Sequence, residues 1–567
     1  MTPPVMPELC SVFPPLHRVE RARAVCPETG TDQVRVLTAL RPEQGWPRLW
    51  AWLPVREDGA ALRPLAEDQP LEGQVLLQPF EHAAFGAPGD ALRGTVPAER
   101  FPPERDAQGR RCGLLCLFVY ADLRGQQREG EPGEAGLEAA LRAALAMGWL
   151  ALRHALTPLP PEDETMPGAD GGLSLVLAAC QYPPQMLDMS LGAEADPAKA
   201  GPGQAALARL VALTRGTAAG RQVSLLLLAG DQIYADSTGG LADGRNSVDR
   251  YARPYQQFKA GLPRHLPPSL ARIVHAPDDH EIEDNWEPVA DPAAPGGQRR
   301  GPLADAALAA AWAARWEAGE REGVLEHFWH RFDWRGAAFF VGDARTEREP
   351  RHAARLAEAQ MLSAAQRQGF EQWLADDKAG RPRFVLTGSL LLPRRRATRE
   401  HPASALRSDA WDGYPASLHW LLGALWARRA DQVVFLSGDE HRSGYVSAEI
   451  RREGDADGEG GDVVRLLSIH SSGLYTPWPF AVTRPADLAA PDSFSFPGPQ
   501  GQVLRCTVSA WTDFPGDGFA LLRADRGGRL RLWFDRAGRA LHEAGGEIGV
   551  DDAGWPAPDG EFWLGRA

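Results

Sequence analysis

Five segments of this sequence carry short groups of side chains whose types are suited to binding metal ions. The groups are Cys180-Gln181-Tyr182, Asp231 with Tyr234 and Asp236, Asp278-Asp279-His280-Glu281 with Asp284 and Asn285, Asp343 with Arg345, and Asp439-Glu440-His441. Thiolate, imidazole and carboxylate groups bind metals in proteins, and a bound cation can turn water into a nucleophile at neutral pH. Any one group could be a helix cap or a turn, but five such groups together predict a shared metal site.

Apolar runs precede these groups and predict the elements that position them. The runs are Leu173–Ala179, Val223–Ala229, Ala271–Ala276, Ala337–Val341, Phe384–Thr387 and Val433–Ser437. Helical patterns lie between them, at Gln204–Thr214, Leu303–Phe332, Gln360–Asp377 and Pro415–Arg429. Strands that alternate with helices predict a layered α/β domain, in which ligands bind beyond the carboxyl ends of the strands. The polar groups are therefore expected to meet at one rim.

Changes in composition and in hydrophobic pattern along the sequence predict four segments. Residues 1–125 alternate short β-like runs with Pro/Gly turns, which predicts a β-rich N-terminal region. Residues 126–171 predict a helix at Leu137–Leu156 and then a linker rich in proline and acidic residues. Residues 172–545 hold the layered pattern and all the metal-binding groups, and residues 546–567 form a C-terminal tail.

The composition indicates a globular protein and argues against one class of function. The 567 residues are 44% hydrophobic and 24% charged, as in a globular protein with a sizeable core. The net charge is −14 and no long Lys/Arg block occurs, which argues against specific nucleic-acid binding. A phosphorylated substrate stays compatible with this charge, because bound cations can reverse the local field.

Targeting and membrane segments are not recognisable in the sequence. The first 30 residues lack the apolar stretch of a signal peptide and contain no twin-arginine pair. No apolar run approaches the roughly 20 residues of a membrane span. We therefore expect a cytoplasmic protein without a membrane span, whereas the sequence does not indicate an oligomeric state.

The order of the motifs resembles the alkaline phosphatase D branch of the calcineurin-like metallophosphoesterases. That branch carries Ser/Ala-Cys-Gln, Gly-Asp-Gln-Ile-Tyr-x-Asp, Asp-Asp-His-Glu and Ser-Gly-Asp-x-His motifs. They match, in order, Cys180-Gln181, the segment from Gly230 to Asp236, the segment from Asp278 to Glu281, and the segment from Ser437 to His441. Asp343-Ala344-Arg345, Gln372-Trp373-Leu374 and Trp411-Asp412-Gly413-Tyr414 are similar as well. The resemblance covers about residues 172–540 and implies a metallophosphoesterase sandwich of β-sheets flanked by helices.

The resemblance also implies a metal cluster held by seven residues. These are Cys180, Asp231, Tyr234, Asp279, Asn285, Asp439 and His441. In this arrangement Asp231 bridges two metals, and the thiolate, phenolate and imidazole bind Fe3+. A phenol has a pKa of about 10, so only a strongly charged ion would hold it deprotonated near neutrality. Hard oxygens at the second position imply Ca2+, with Mn2+ or another divalent metal as the alternative.

Each proposed ligand has a structural alternative. Asp231 could be a turn carboxylate, Cys180 an inert buried thiol, Tyr234 a packing residue and His441 a core histidine. In the acidic motif, Asp279 aligns with the superfamily's Asn ligand, although Asn285 matches this branch better. Both therefore stay candidates.

Two further residues are candidates for catalysis. His280 corresponds to the superfamily histidine near the leaving group, which implies a general acid or a hydrogen-bond donor to the transition state. Arg345 could clamp phosphate oxygens through its planar fork or could form a structural ion pair. The hypothesis that follows is an in-line attack on phosphorus by a hydroxide held between metals.

The sequence therefore predicts a metal-dependent hydrolase of phosphate esters, of the alkaline phosphatase type, acting on a phosphorylated small molecule or polymer. A phosphodiesterase of the same fold is the first alternative, because the inserts at 291–302 and 480–501 would shape the pocket walls. A non-catalytic metal-binding protein on a degenerate scaffold is the second. The presence of Asp231 and His441 argues against it.

Overall fold

The computed structural model describes about three fifths of the residues in the chain. They are 18–25, 32–39, 49–58, 61–67, 69–79, 81–82, 91–97, 106–110, 112–119, 141–142, 145, 151–153, 172–182, 205–217, 220–238, 270, 272–290, 298–299, 328–376, 381–454, 462–476, 483–488, 491–525, 527–543 and 557–564. The chain forms two units, residues 1–161 with 309–326, and residues 162–308 with 327–567.

The first unit is built from antiparallel sheets. Its described elements are β1 (Arg18–Val25), β2 (Asp32–Ala39), β3 (Leu49–Asp58), β4 (Ala61–Pro64), α1 (Leu71–Gln74), β5 (Leu76–Pro79), β6 (Glu81–His82), β7 (Ala91–Pro97), β8 (Cys112–Val119) and β9 (Ala151–Arg153). One sheet has the order β1-β2-β7-β6, and the other has the order β4-β3-β8-β9 with β5 also paired to β3. The prediction of a β-rich N-terminal region agrees with these strands.

The prediction of a helix at Leu137–Leu156 is wrong at its C-terminal end. Residues 151–153 form β9, which pairs antiparallel with β8 through Ala151 and Leu115. Leu141 and Leu145 are helical and buried against Leu53 and Leu115. The apolar spacing predicts one helix, but pairing with a distant strand offers residues 151–153 hydrogen bonds that a local pattern does not reveal.

The second unit contains the predicted layered α/β pattern. Its described strands are β10 (Leu173–Gln181), β11 (Leu225–Ala229), β12 (Arg272–Ala276), β13 (Val289–Ala290), β14 (Gln298–Arg299), β15 (His330–Trp334), β16 (Ala337–Val341), β17 (Arg383–Leu386), β18 (Val433–Ser437), β19 (Ser443–Arg452), β20 (Val463–His470), β21 (Gly473–Tyr475), β22 (Asp492–Pro497), β23 (Val503–Val508), β24 (Thr512–Phe514), β25 (Gly518–Ala524), β26 (Arg529–Arg536) and β27 (Gly560–Trp563). Its described α-helices are α2 (Ala205–Gly216), α3 (Ala235–Thr238), α4 (Ala364–Ala375), α5 (Arg396–Glu400), α6 (Pro415–Ala427) and α7 (Pro485–Leu488). Short 3-10 helices lie at Gly220–Gln222, Pro402–Arg407 and Trp411–Gly413.

Two mixed sheets form the body of this unit. The first has the order β12-β11-β10-β25-β26-β27, with β21 also paired to β10. The second has the order β15-β16-β17-β18-β20-β19-β23-β22, with β24 also paired to β19. Strands β10, β11 and β12 run parallel to one another, as do β16, β17, β18 and β20. Each sheet therefore places a row of carboxyl ends along one edge.

The main core lies between the two sheets. One continuous cluster joins Leu177 and Leu227 of the first sheet with Phe339 and Leu436 of the second. Runs such as Leu225–Ala229 are buried at every position, which explains why they are apolar throughout rather than alternating. The mixed α/β sandwich predicted from the sequence is confirmed.

Helices cover the outer face of the second sheet. Phe370 of α4 and Leu422 of α6 pack in a second core cluster with Phe340 and Phe435 of the strands. Helix α4 begins after Ser363, whose side chain accepts a hydrogen bond from the backbone N–H of Gln366, as an N-cap residue does. Among the described helices, none combines the length and apolar character that a membrane crossing requires.

The predicted helix at Leu303–Phe332 is wrong where the structure describes it. His330–Trp334 is a strand that pairs antiparallel with β16. Arg335 and Gly336 connect the two strands with φ values of 46° and 79°, and a two-residue hairpin turn of this kind needs positive φ at both positions. His330 and Trp334 are buried and Phe332 is half-buried, whereas Arg331 and Asp333 between them are exposed, which is a strand pattern.

Replacing Leu532 with alanine tests the core between the sheets. The side chain is fully buried in β26, so the Leu532→Ala variant should lower the free energy of unfolding by about 2–5 kcal/mol. Urea denaturation measures the change, with Val503→Ala as the control because Val503 is 47% exposed. Equal effects of the two substitutions would contradict this position for the core.

Candidate metal centre

Strands of both sheets present the predicted ligands at their carboxyl ends. Cys180 is the last residue but one of β10, and Asp231 follows β11 after a single glycine. Asp279 lies in the turn after β12, and Asp439 follows β18. Tyr234 directly precedes α3. The rim that the sequence predicted is therefore formed from both sheets of the sandwich.

An unusual backbone conformation recurs at these positions. Five of the eight non-glycine residues with positive φ in the described part of the chain are predicted ligands: Cys180 (44°), Asp231 (56°), Asn285 (55°), Asp439 (92°) and His441 (53°). Such conformations cost of order 1–3 kcal/mol each and persist only where the surrounding structure enforces them. The fold thus holds these side chains in directions that a relaxed turn would not give.

One group of ligand atoms contains sulfur, nitrogen and oxygen. Donor atoms of Cys180, Asp231 and His441 all lie within 4.8 Å of one another. The Cys180 Sγ is 3.3 Å from Asp231 Oδ2, and the Tyr234 hydroxyl is 3.3 Å from His441 Nε2. The structure therefore brings four predicted ligands together, and we call this set the mixed-donor group.

A second group contains only oxygen donors. Carboxylate atoms of Asp278, Asp279 and Asp439 lie within 4.8 Å of one another, and we call them the all-oxygen group. Asp231 and Asp279 also form a third such set with His280, which places Asp231 between the two groups. This is the position expected of a carboxylate shared by two cations.

Buried carboxylate oxygens without a hydrogen-bond partner indicate a cation site. Asp231 Oδ1, Asp278 Oδ2, Asp279 Oδ1 and Asp439 Oδ2 are buried and have no hydrogen-bond partner among the described residues. Orphaned buried polar atoms are costly and rare in native proteins. Because four occur at one rim, the donor set fits divalent or trivalent cations.

The pKa values of the proposed ligands indicate the same shortage of compensating positive charge. Burial raises the pKa of the Cys180 thiol, the Tyr234 phenol and the Asp231 carboxyl well above their ordinary values, and neighbouring acidic groups add to the shift. The pKa of Asp439 is raised in the same way, by burial and by nearby carboxylates. Bound cations would oppose these shifts, because they stabilise the deprotonated ligands.

A buried glutamate clamps the loops after β11 and β12. The Glu281 carboxylate accepts hydrogen bonds from the backbone N–H groups of Asp231 (3.2 Å), Gln232 (2.6 Å) and Asp278 (2.9 Å). Gly230 has a φ of 90°, and a Cβ atom there would lie 2.3 Å from Cβ of Asp278. The close contact of the two loops explains why a glycine precedes Asp231.

His280 is held by a carboxylate and by an aromatic ring. Its Nδ1 atom is 2.9 Å from Asp236 Oδ2, and its ring stacks on Tyr234 with 4.1 Å between centroids. Burial lowers the pKa of His280, but Asp279, Asp231 and Asp236 outweigh that effect and raise the pKa to about 11. The ring is therefore positively charged in this environment, with Nε2 on the side of the exposed Asp284, at 3.9 Å.

Arg345 lies in the protein interior. Its guanidinium is fully buried and binds Asp278 Oδ1 through Nε (2.8 Å) and Nη2 (2.5 Å), and it also contacts Asp409 Oδ2 at 3.0 Å. These contacts fit the structural ion pair that the sequence left open as an alternative. Contact with phosphate oxygens stays a prediction.

Asn285 is exposed, in contrast to the other predicted ligands. Its backbone N–H donates to Asp279 Oδ2 at 2.6 Å, and its side chain hydrogen-bonds Asp284. Asn285 thus orients the Asp279 carboxylate in this structure. Metal binding by its amide oxygen stays a prediction.

Sequence reasoning named the motifs but missed three residues within them. Asp278 joins the all-oxygen group, Asp236 orients His280, and Glu281 holds the two loops. All three lie in motifs whose other members were chosen as ligands. The sequence pointed to Asp236 only as the last residue of its Gly-Asp-Gln-Ile-Tyr-x-Asp motif, because its partner His280 lies 44 residues further along the chain.

Comparisons with known proteins agree with these motifs. The sequence model of the PhoD-like phosphatase family matches residues 212–464, which is less than half of the chain. The resemblance to the alkaline phosphatase D branch is confirmed over that segment. No curated protein matches the sequence. Together with the donor groups, the match supports a metal-dependent phosphoesterase.

Three solved structures show low similarity to the chain. A structure of PhoD has 14% sequence identity and a TM-score of 0.40, with 89% of this chain and 84% of that chain covered. A purple acid phosphatase from seeds of yellow lupin, Lupinus luteus, has 11% identity and a TM-score of 0.39, covering 93% and 73%. A dimetal phosphatase from Danio rerio has 13% identity and a TM-score of 0.32, covering 64% and 95%.

Asp231→Asn should not lower the stability of the metal-free protein, but it should reduce the stabilisation that bound metal provides. In chelator, removing one buried negative charge relieves repulsion, so the thermal midpoint of the variant should equal or exceed that of the unmodified protein. Saturating Mn2+ or Ca2+ should stabilise the unmodified protein, by about 2.7 kcal/mol at 100 times the Kd, and the variant much less. Differential scanning calorimetry measures both. An equal response of the two proteins to metal would contradict the assignment of Asp231.

Proposed function

We propose that this protein hydrolyses phosphate esters in a metal-dependent reaction of the alkaline phosphatase type. The observation that carries the proposal is the position of Asp231 at the carboxyl ends of parallel strands: it belongs to the mixed-donor group and forms a further set with Asp279 of the all-oxygen group and with His280. A shared carboxylate suits two cations a few ångströms apart, and such pairs stabilise both the attacking and the leaving oxygen in a displacement at phosphorus. The match of residues 212–464 to a phosphatase family supports the same reaction class.

The two groups are proposed to bind different metals. Cys180, Tyr234 and His441, with Asp231, offer thiolate, phenolate, imidazole and carboxylate donors, a set that suits iron better than magnesium, and we propose Fe3+ here. Asp278, Asp279 and Asp439 offer hard oxygens, which suit Ca2+, Mn2+ or a similar cation. Bound there, cations would supply neutralisation of phosphoryl oxygens and acidification of water.

His280 is proposed to donate a proton to the departing oxygen. Asp236 fixes the ring through Nδ1, so that Nε2 is the atom available on the exposed side. Cations would offset the charges of Asp231 and Asp279, whereas the direct hydrogen bond that Nδ1–H donates to Asp236 continues to favour the protonated ring. Stacking on Tyr234 restricts rotation of the ring. Together these contacts keep the donor in one orientation.

Residues of the interior hold the reaction centre together. Glu281 keeps the Asp231 turn against the Asp278 turn, and Arg345 compensates part of the charge of Asp278 and Asp279. Neither side chain is exposed. We therefore propose that Arg345 acts through the carboxylates that it contacts, while a direct contact with substrate would require it to move.

Hydrolysis of p-nitrophenyl phosphate and of bis(p-nitrophenyl) phosphate tests the function. The purified protein supplied with Fe3+ and Ca2+ or Mn2+ should turn over the monoester faster, and a faster diester reaction would instead favour a phosphodiesterase. Asp231→Asn should reduce kcat by several orders of magnitude without changing the circular dichroism spectrum. Asp487→Asn, which removes a partly exposed carboxylate on α7, should be neutral.

Metal identity is tested on the same samples. Elemental analysis of protein purified without added metal should find iron, and a thiolate-to-iron absorption band should disappear in Cys180→Ser. An absorption spectrum and an activity that are both unchanged in this variant would exclude the thiolate as a ligand. Tight metal binding without turnover of either ester would instead indicate a non-catalytic protein.

The proposed proton donation by His280 predicts a dependence on the leaving group. General acid catalysis contributes about 10²- to 10⁴-fold, and a poor leaving group needs the proton more. Asp236→Asn should therefore slow phenyl phosphate hydrolysis more than p-nitrophenyl phosphate hydrolysis. Asp284→Asn removes a charge 3.9 Å from Nε2 but leaves the Nδ1 bond intact, and it serves as the control. An equal loss on both substrates in Asp236→Asn would contradict this role.

A further inference from the structure

The loop after β18 serves both donor groups at once. Asp439 contributes to the all-oxygen group, and His441 contributes to the mixed-donor group. The residue between them, Glu440, is buried. Because Asp439 and His441 both have positive φ, the loop needs an anchor that keeps it in this conformation. Glu440 therefore lies between one member of each donor group.

Glu440 is anchored at three points. Its carboxylate binds the Arg395 guanidinium through one oxygen and the Thr483 hydroxyl through the other. Its backbone N–H donates to His470 Nε2 at 3.0 Å. His470 is fully buried, and its Nδ1 lies 2.8 Å from Ser437 Oγ, so the ring accepts at Nε2 and donates at Nδ1. Side chain and backbone of Glu440 are therefore both fixed.

Arg395 is itself held by the Trp411-Asp412-Gly413-Tyr414 segment that the sequence singled out. The backbone N–H of Arg395 donates to Asp412 Oδ2 at 2.9 Å, and its Nη1 lies 3.4 Å from Asp412 Oδ1. Its Nη2, which reaches Glu440, also lies 3.5 Å from Asp409 Oδ1. The described side-chain contacts of Arg395 are thus with three carboxylates, those of Asp409, Asp412 and Glu440, and with the Ser408 hydroxyl.

These contacts extend into a chain of alternating charges. Asp409 contacts Arg345 at 3.0 Å, and Arg345 binds Asp278 at 2.5 Å. The order Asp278, Arg345, Asp409, Arg395, Glu440 therefore runs from the loop after β12 in the first sheet to the loop after β18 in the second. One end of this series of ion pairs is Asp278, a member of the all-oxygen group, and the other end is Glu440, which lies between Asp439 and His441. The series therefore connects a loop of the first sheet with a loop of the second.

We propose that Arg395 is a positioning residue that sets the separation of the two metal positions through Glu440. This inference rests on the proposed metal-dependent function. Buried ion pairs contribute little net stability compared with well-packed apolar residues, and one attested use is to specify a geometry. Outer residues that orient metal ligands typically change metal affinity or activity by about 10- to 100-fold when they are replaced.

Metal titration of the full-length protein tests this role. Arg395→Met keeps the length of the side chain but removes its charge, and it should weaken binding of Ca2+ or Mn2+ to chelator-treated protein by about 10- to 100-fold. Arg395→Lys, which retains the charge, should recover part of the loss. Arg396→Met is the matched control, because Arg396 is 57% exposed and pairs only with surface Glu400 in the described part of the chain. Isothermal titration calorimetry measures the affinities.

The outcomes separate this inference from the proposed function, because metal affinity does not depend on turnover. Weaker binding in Arg395→Met but not in Arg396→Met supports the positioning role, even if no ester is hydrolysed. Equal affinities, with only a lower thermal midpoint in Arg395→Met, would overturn it. If Arg395→Met does not fold, Glu440→Gln gives the second test, because it keeps volume and the backbone contact with His470. A folded Glu440→Gln variant with full affinity would also overturn the inference.

Discussion

The constraint on which this structure depends is the burial of several carboxylates at one rim of a β-sandwich. Asp231, Asp278, Asp279 and Asp439 each leave an oxygen without a hydrogen-bond partner among the described residues, and the nearby positive charges include Arg345 and the His280 ring. Desolvation of a charge without compensation costs more than any single contact in a folded protein contributes. Cations at this rim would compensate the excess negative charge. The same electrostatic attraction would then stabilise the folded rim and support its proposed chemistry.

The fold meets this constraint with two kinds of support. The first is backbone geometry: left-handed residues aim ligands of both sheets toward common points, and a glycine before Asp231 permits two loops to touch. The second is a set of buried acidic side chains that are used as anchors. Glu281 accepts three backbone N–H groups beside one sheet, and Glu440 fixes the loop beside the other. Carboxylates therefore have two roles here, as proposed ligands and as the groups that orient them.

Sequence patterns located most of the elements in the second unit. The predicted runs Ala337–Val341 and Val433–Ser437 are strands with the same bounds, because continuous burial requires apolar side chains at every position. The errors lie at the C-terminal ends of two long predicted helices, Leu137–Leu156 and Leu303–Phe332. His330–Trp334 and Ala151–Arg153 are strands because partners elsewhere in the chain supply their hydrogen bonds, and local spacing contains no information on those partners.

The sequence by itself determined the chemical types of the donors and their order after successive strands, because a buried strand and the polar turn after it are local patterns. Tertiary structure alone decided which donors meet. It divided them into a mixed-donor and an all-oxygen group, placed Asp278 in the second and moved the amide of Asn285 to the surface. It also revealed that Arg345 and Arg395 connect carboxylates from distant loops. The physical reason is that these relations depend on distances between sheets, which are set by packing of the whole core and not by any neighbouring residues in the chain.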